Sequence, residues 1–184
     1  MTPRVASRAR VYDALALLVT IIVIALDQWT KFLVVTYLGP PESRSVSLVS
    51  QYLLLYYIQN SGAAFSMLRN TGVLIILIIV AMMVVGYIYF RILNSGPLYY
   101  KVIFGLIIGG ALGNLIDRIH NGGYVVDFIA FRIPQINFYF AIFNVADACI
   151  TIGVVLLFLF IFFTRRPHDE QRVESASKET VSNK

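Results

Sequence analysis

The stretch from Leu98 to Arg118, LYYKVIFGLIIGGALGNLIDR, decides the fold class of this chain. Residues 98–116 contain one charged side chain, Lys101, and their length is close to the roughly 20 apolar residues that cross the hydrocarbon core of a bilayer. Three other mainly apolar stretches of similar length lie at about 12–33, 72–91 and 138–163. A backbone in lipid must satisfy its own hydrogen bonds, and none of these stretches alternates like a barrel strand. The sequence therefore predicts an all-α membrane protein with four transmembrane helices.

The composition of the whole chain agrees with a membrane location. Of its 184 residues, 58% are hydrophobic and 14% are charged, which is too apolar for an ordinary soluble domain. Residues 1–166 are predicted to form a single four-helix domain, and the polar residues 167–184 a disordered cytoplasmic tail. The formal net charge of +5 fits contact with anionic membrane phospholipid and does not favour nucleic-acid binding.

The first apolar stretch has a second interpretation, as a cleaved signal peptide. Three arginines precede an apolar run from Ala14 to Leu26, which is typical of such a peptide. No small-x-small cleavage site follows the run, and it continues through Asp27 and Lys31 into further apolar residues. We therefore interpret it as a membrane span.

The basic residues predict how the spans are oriented, because cytoplasmic ends of membrane helices carry an excess of lysine and arginine. They lie before the first span, between the second and third, and after the fourth: Arg4, Arg8, Arg10, Arg91, Lys101, Arg165 and Arg166. The opposite side carries Arg44, Arg69 and Arg132, so the bias is moderate. Both termini are predicted to be cytoplasmic.

One of two segments outside the spans has the pattern of strands, and both are expected at the outer interface. The outer loop 36–71 begins with a Gly-Pro-Pro turn, and Ser45–Val49 then alternates. The following Tyr52–Ile58 is too short to span, and its tyrosines suit the membrane interface. After the turn at 121–123, residues 124–129 run apolar around one acid before Pro134 interrupts them. We predict a small extracytoplasmic β-sheet segment lying at the membrane interface.

Ionisable side chains inside apolar helices need an explanation, because each costs at least about 2.5 kcal/mol at the centre of a membrane helix. In the predicted topology several of them fall at the same outer edge of the bilayer: Asp27, Lys31, Asp117, Arg118, Asp127 and Asp147. This convergence is the strongest functional signal in the sequence.

Some of these residues have a structural interpretation that is as good as a functional one. Asp27 and Lys31 are spaced i,i+4 with the acid first, the favourable order for an ion pair on one helix face. Gly110, Asn114 and Arg118 also share a face, where the amide and guanidinium are as suited to holding a substrate as to structure.

The glycines Gly105, Gly109 and Gly113 recur every four residues, which predicts close packing of the third helix against a neighbour. Cys149 is the only cysteine, which leaves no intramolecular disulfide and no cysteine metal cluster, and we interpret it as a packing residue.

Asp127 and Asp147 are the pair for which a purely structural role is least satisfactory, since each is an isolated acid among apolar neighbours. Two carboxyl groups that meet in a water-accessible site can share one proton, so that one activates water and the other acts as an acid. Intramembrane acids also serve proton relays and ion pathways, which spacing alone does not exclude. The chain contains no Gly-x-Ser-x-Gly and no His-Glu-x-x-His, so serine and zinc mechanisms lack their parts.

Five blocks of the sequence resemble the bacterial lipoprotein signal peptidases, the signal peptidase II family, in the order in which that family has them. They are Asp27-Gln28-x-Thr30-Lys31, Asn60-x-Gly62-Ala63-Ala64-Phe65, Gly109-Gly110-x-x-Gly113-Asn114-x-x-Asp117-Arg118, Val125-Val126-Asp127-Phe128 and Phe143-Asn144-x-Ala146-Asp147. One block alone is weak, but five together are highly specific.

The resemblance implies a membrane aspartyl endopeptidase of the bacterial inner membrane that cleaves prolipoproteins N-terminal to a diacylglyceryl-modified cysteine. Asp127 and Asp147 match the catalytic pair. The other matching residues imply substrate binding or shaping of the pocket: Asp27, Lys31, Asn60, Gly62, Gly110, Asn114, Arg118, Asn144 and Ala146. The segment from Val46 to about Phe65 matches the interfacial sheet that cradles the substrate. The peptide antibiotic globomycin is expected in the same pocket, and no metal or organic cofactor is implied.

One position departs from the family pattern. Ala148 stands where family members commonly have serine directly after the second aspartate, so a hydrogen bond from that hydroxyl is missing, and we expect tuning rather than loss of activity. Two interpretations from other classes compete. A proton-coupled or ion-coupled transporter would need a path across the midplane, but the central parts of the second, third and fourth spans contain no acid or base. A structural assembly subunit would explain the glycines but not the isolated aspartates.

Overall fold

The computed structural model describes residues 3–62, 71–89 and 97–163. Within these ranges the chain forms helices and one small antiparallel sheet. The elements are α1 (Pro3–Leu38), β1 (Ser45–Val49), β2 (Leu53–Asn60), α2 (Thr71–Ile88), α3 (Leu98–His120), β3 (Val125–Ile133), a 3-10 turn (Pro134–Ile136), β4 (Phe138–Tyr139) and α4 (Val145–Phe163). The predictions for Ala63–Phe65, Arg69, Arg91, Arg165, Arg166 and the tail 167–184 fall outside the described residues.

Two of the helices are clearly long and apolar enough to cross a membrane. They are the segment Val11–Leu38 of α1 and the whole of α3, Leu98–His120. The apolar parts of α2 and α4 are shorter, Ile75–Tyr87 and Val145–Phe160, against the roughly 20 residues that a perpendicular span needs. The predicted mainly helical membrane fold is confirmed, and the count of four spans stays a prediction.

The fourth helix begins later than the apolar pattern predicts, at Val145 instead of near residue 138. Phe138 and Tyr139 instead form β4, which pairs with Arg132 and Ile133 of β3. Aromatic side chains suit a strand as well as a helix, so hydrophobicity alone does not separate these states. The boundary is set by Asn144, whose side-chain oxygen accepts the N–H of Asp147 at 2.9 Å.

Glycines allow the helices to approach closely, as the spacing of Gly105, Gly109 and Gly113 predicts. A Cβ on Gly105 would lie 2.9 Å from the carbonyl oxygen of Ala16 in α1, and one on Gly113 would lie 2.5 Å from Asp27 Oδ2. On another face of α3, a Cβ on Gly110 would lie 2.5 Å from the carbonyl oxygen of Ala146 in α4. These distances are too short for any side chain, so α3 lies directly against both α1 and α4.

The sheet has the strand order β1-β2-β3-β4, with every neighbouring pair antiparallel. Strand β1 has the predicted bounds. Residues 125–133, for which the sequence predicted only a position near the interface, form β3 and extend the sheet. Val34 and Leu38 at the end of α1 pack against Tyr57, Val126 and Phe128. This small core fixes the sheet on one end of the helices and places Asp127 opposite Ile58 of β2.

Candidate active site

Asp127 is a nearly fully buried acid in the middle of the sheet, with 1% of its surface exposed. Its Oδ2 accepts a hydrogen bond from Asn60 Nδ2 at 2.8 Å, and its Oδ1 accepts one from Asn144 Nδ2 at 2.6 Å. Burial raises the pKa of Asp127 to about 6, and the negative charge of Asp147 also raises it, whereas the two amide donors oppose the shift. Asp127 is therefore a carboxyl group that can hold or release a proton near neutral pH.

Asp147 lies at the N-terminus of α4 and is held by reciprocal hydrogen bonds with the residue that caps the helix. Its N–H donates to Asn144 Oδ1 at 2.9 Å, and its Oδ2 accepts the backbone N–H of Asn144 at 3.2 Å. This is a capping-box arrangement, in which the capping residue and the residue three positions later hydrogen-bond each other's backbone N–H groups through their side chains. The other oxygen, Oδ1, accepts Asn114 Nδ2 from α3 at 2.7 Å.

Asn144 joins the two aspartates directly. Its side chain is fully buried, donates from Nδ2 to Asp127, and accepts at Oδ1 from the backbone of Asp147. The same Nδ2 lies 3.1 Å from Oδ1 of Asn114, the residue that donates to Asp147. Sequence reasoning placed Asn144 near the pocket but had no means of finding this bridge, because the bridge depends on where β3 meets α4.

A group of buried charges lies beside this pair. Lys31 Nζ lies 2.7 Å from Asp27 Oδ2 and 3.0 Å from Asp117 Oδ2, and it donates to Asn114 Oδ1 at 3.0 Å. The predicted i,i+4 pair of Asp27 and Lys31 is thus confirmed. Gln28 donates to Asp117 Oδ1 at 2.8 Å. All three charged side chains are less than 5% exposed.

An apolar cavity of about 400 Å³ lies between α2, α3 and α4 and reaches the end of β2. Its polar boundary consists of Asn60, Asn114 and Arg118, while isoleucine, valine, methionine and alanine side chains form most of the wall. Asn60 and Asn114 each donate to one of the two aspartates. On each side, one asparagine side chain therefore connects the cavity wall to a carboxyl group of the pair.

Arg118 brings a buried donor group to the edge of the cavity. Its NH1 group donates to the carbonyl oxygen of Asn114 at 3.1 Å, whereas its Nε is buried and has no hydrogen-bond partner among the described residues. A buried donor without a partner costs free energy unless something binds it. Because Arg118 lines the cavity, a ligand with a carbonyl or carboxylate oxygen would satisfy it.

The structure places the predicted site residues in four positions. Asn60, Gly62, Asn114 and Arg118 line the cavity. Asn144 contacts both aspartates, and Ala146 and Gly110 meet at the α3–α4 crossing. Asp27 and Lys31 lie buried away from the cavity wall.

Sequence reasoning did not assign a site role to Asp117 or Gln28. Asp117 was recognised as an ionisable residue at a helix end, but its partners on α1 and β3 are distant in sequence. The sequence feature that could have identified Asp117 is the one that identified Arg118: a charged residue directly after a long apolar stretch. In the described ranges, no three His, Cys, Asp or Glu side chains are grouped so as to hold a metal ion.

Comparisons with known proteins agree with this geometry. The family model described as signal peptidase II matches residues 19–163. The chain is 40% identical over 153 residues to the lipoprotein signal peptidase of Symbiobacterium thermophilum, covering 83% of this chain and 97% of that protein. It is 43% identical over 153 residues to the lipoprotein signal peptidase of Mesorhizobium japonicum, covering 80% and 84%.

The fold also matches a solved structure. A crystal structure described as a bacterial membrane enzyme superposes with a TM-score of 0.74 at 30% identity, covering 83% of this chain and 95% of that one. The matched segment contains both aspartates, Asn144 and the buried charges on α1 and α3. The chain therefore belongs to the signal peptidase II family and is a membrane-associated bacterial protease.

Proposed function

We propose that this protein removes signal peptides from prolipoproteins, cutting N-terminal to the diacylglyceryl-modified cysteine with Asp127 and Asp147 as the catalytic pair. One observation carries the proposal: the two acids, from a strand and from a helix, are joined through Asn144 beside an apolar cavity. Two acids that share a site and repel each other's charge can hold one proton between them, which is the state that aspartyl proteases use.

The reaction needs one ionised and one protonated carboxyl group. The ionised carboxylate takes a proton from a water molecule, whose oxygen attacks the carbonyl carbon of the scissile peptide. The protonated carboxyl group donates to the carbonyl oxygen and gives a tetrahedral diol. As the C–N bond breaks, the protonated carboxyl group gives its proton to the nitrogen, which leaves as the free amine of the modified cysteine. At the same time the other group, a carboxylate, takes a proton from a hydroxyl of the diol, whose carbon becomes the carboxyl group of the released signal peptide. The pair then again holds one proton.

The cavity suits a substrate that is apolar over most of its length and polar at the cut. Its wall is formed largely by aliphatic side chains, which match the apolar segment of a signal peptide. Asn60, Asn114 and Arg118 stand at the polar boundary, where donors orient a peptide carbonyl. Among them, the buried Nε of Arg118 is the donor for which a substrate oxygen is expected.

The proposed topology has four membrane spans, with both termini cytoplasmic and the aspartates at the outer edge of the bacterial inner membrane. The short apolar segments of α2 and α4 then cross with their ends near the interfaces. Cysteines at positions 44 and 120 in a Cys149→Ser background should react with an impermeant reagent from outside. Labelling of position 44 only from the cytoplasm would reverse the orientation.

Lipid on the substrate is expected to supply much of the positioning. Each buried methylene of an acyl chain contributes about 0.8 kcal/mol to membrane anchoring, so the modified cysteine is held at the depth of the site. Membrane phospholipid surrounds the site, and globomycin-type peptides are expected to inhibit by occupying the cavity.

The test uses the purified full chain in detergent micelles. A diacylglyceryl-modified prolipoprotein and the same precursor without lipid are incubated separately, and the products are identified by mass. We expect rapid cleavage of the lipidated form before the modified cysteine and poor cleavage of the other. Asp147→Asn is the inactive control and Asp13→Asn, an acid on α1 far from the pair in sequence, the active one.

Two results would contradict the proposal. Equal rates on the two precursors would remove the specificity for lipoproteins and leave a membrane protease of another preference. Cleavage by Asp147→Asn at the wild-type rate would remove the two-aspartate mechanism.

A further inference from the structure

Two buried carboxylates share a single ammonium group beside the catalytic pair. Lys31 Nζ lies 2.7 Å from Asp27 Oδ2 and 3.0 Å from Asp117 Oδ2. Asp27 is 0% exposed, Lys31 3% and Asp117 4%. Asp27 and Lys31 belong to α1 and Asp117 to α3, so this triad connects two helices.

Each carboxylate of the triad also accepts a backbone N–H, and both N–H groups occupy corresponding positions. Asp117 Oδ2 accepts the N–H of Val126 at 2.9 Å, directly before Asp127. Asp27 Oδ1 accepts the N–H of Ala146 at 3.0 Å, directly before Asp147. The backbone that leads into each aspartate is thus held by one carboxylate of the same triad.

Both N–H groups need such an acceptor. Ala146 lies in the first turn of α4, where backbone N–H groups have no partner within the helix, and a carboxylate is the favoured partner there. Val126 is 4% exposed, so a lost hydrogen bond at its N–H would not be replaced easily by water. The two contacts are therefore fixed points of β3 and α4.

We propose that Asp27, Lys31 and Asp117 together form a positioning device that sets the separation of Asp127 and Asp147. The inference rests on the proposed two-aspartate function. Because one ammonium holds both carboxylates, movement of one anchored backbone segment is passed to the other. These three residues position the catalytic pair without contacting the substrate.

Stability alone is a poor reason for this arrangement. Burying three charges is unfavourable, and apolar side chains of the same volume often replace a buried ion group without loss of stability. Apolar residues would, however, leave the N–H groups of Val126 and Ala146 without an acceptor. The charged triad provides acceptors for both N–H groups and joins the two acceptors through the ammonium group of Lys31.

The test measures kcat, KM and the pH profile of kcat on lipidated precursor for the purified full chain, together with its thermal unfolding midpoint. The first variants are Asp27→Asn and Asp117→Asn. Each keeps an oxygen that can accept the backbone N–H but removes the charge that holds Lys31. We expect kcat to fall at least about 10-fold in each, with KM within about 2-fold, because small displacements of catalytic groups reduce kcat strongly.

A neutral variant with all three changes, Asp27→Asn, Lys31→Met and Asp117→Asn, guards against an unpaired buried charge that prevents folding. Its amide oxygens can still cap both N–H groups, but nothing joins them. We expect folded protein with kcat lowered about 100-fold. The fold loss of kcat in this triple variant should be smaller than the product of the fold losses in the three single variants Asp27→Asn, Lys31→Met and Asp117→Asn. This is expected because the three residues act as one unit.

The pH profile distinguishes positioning from general support of the fold. Two interacting acids titrate as a pair, and the gap between the acidic and basic limbs depends on their separation. The charges facing the pair in the described residues are those of the triad and Arg118 on α3. In an Arg118-intact background, we expect the two limbs to move relative to each other in every triad variant.

Three outcomes would overturn the proposal. A folded neutral variant with wild-type kcat and pH profile would show that the triad positions nothing. A lowered unfolding midpoint with unchanged limbs and unchanged kcat per folded molecule would assign it to the fold alone. If the single variants Asp27→Asn and Asp117→Asn raise KM and leave kcat unchanged, the triad acts in substrate binding. Asp127→Asn measured alongside separates these results from failure of the proposed function, since wild-type turnover by that variant would remove the pair itself.

Discussion

Buried lysines occur at two places in the part of the chain that the structure describes, and their surroundings differ. Lys31 lies between two buried carboxylates beside the aspartate pair. Lys101, which is 0% exposed, forms an ion pair with Asp13, whose side chain is 48% exposed, and its ammonium lies 5.3 Å from the centre of the Tyr89 ring. Both lysines connect α1 to α3.

The difference lies in the hydrogen bonds that the acids accept besides the one from lysine. Asp13 accepts hydrogen bonds at Oδ1 from two side chains, Lys101 and Tyr89. Asp27 and Asp117, by contrast, each accept a backbone N–H group as well, from the residue directly before Asp147 and Asp127 respectively. The same pairing of lysine with acid connects two helices at both places, and at one of them we propose that it also positions the aspartate pair.

The largest expected effect breaks the site directly. Asp127→Asn or Asp147→Asn should lower kcat by about 10⁴-fold or more, because each removes one member of a pair that acts as a unit. The amide is nearly isosteric, so the unfolding midpoint should stay within a few degrees of wild type. Product mass after long incubation is the measurement. Substantial turnover by either variant would show that the two regions differ less than the geometry indicates.

A smaller effect is expected when the bridge between the acids is removed. Asn144→Ala deletes the donor to Asp127 and the cap of α4, and we expect kcat to fall about 100-fold. Asn144→Ser keeps a helix cap but lacks the donor to Asp127, so it should recover the unfolding midpoint more than kcat. Equal recovery of both would reduce Asn144 to a capping residue.

The pH dependence sharpens the comparison further. The pKa of Asp127 is about 6 in the folded protein against 3.8 for an ordinary aspartate, so the folded state binds the proton more tightly than the unfolded state. Its contribution to stability is full below about pH 4 and is lost as the pH rises through about 6. The unfolding midpoint of Asp127→Asn should therefore change less than that of wild type between pH 5 and pH 7.

The same pKa predicts the rate profile of the free enzyme. If the pair must hold one proton, kcat/KM falls about 10-fold per pH unit once that proton is lost, beginning near pH 6. Measurement of kcat/KM from pH 4.5 to 8.5 gives this limb. A rate that keeps rising to pH 8 would place the proton elsewhere.

The smallest effect on catalysis is expected at the other lysine. Lys101→Met leaves Asp13 without its cation, and we expect a loss of about 1–3 kcal/mol in the free energy of unfolding. The kcat per folded molecule should stay within about 2-fold of wild type, since this lysine pairs with Asp13 of α1 and lies over the ring of Tyr89, directly after α2, and both residues are distant in sequence from the aspartates. A kcat loss like that of the Lys31 variants would mean that both lysines position the site.

Much of this protein follows from its sequence. Long apolar stretches in a chain with few charges require helices in lipid, and glycines every four residues require close helix contact, because both are local properties of the pattern. The isolated acids identify the site for the same reason, since a charge among apolar residues costs free energy wherever the chain folds. The motif blocks then name the family.

Other features depend on the tertiary structure. Whether Phe138 and Tyr139 belong to a helix or form a strand depends on β3 offering a partner, which apolar content does not encode. The links from Asp117 to Val126 and from Asp27 to Ala146 join residues brought together by the crossing of α1, α3 and α4. The sequence determined which groups are reactive and buried. Only the packed fold decided which peptide groups hold them in place, because hydrogen-bond partners are chosen by distance in space.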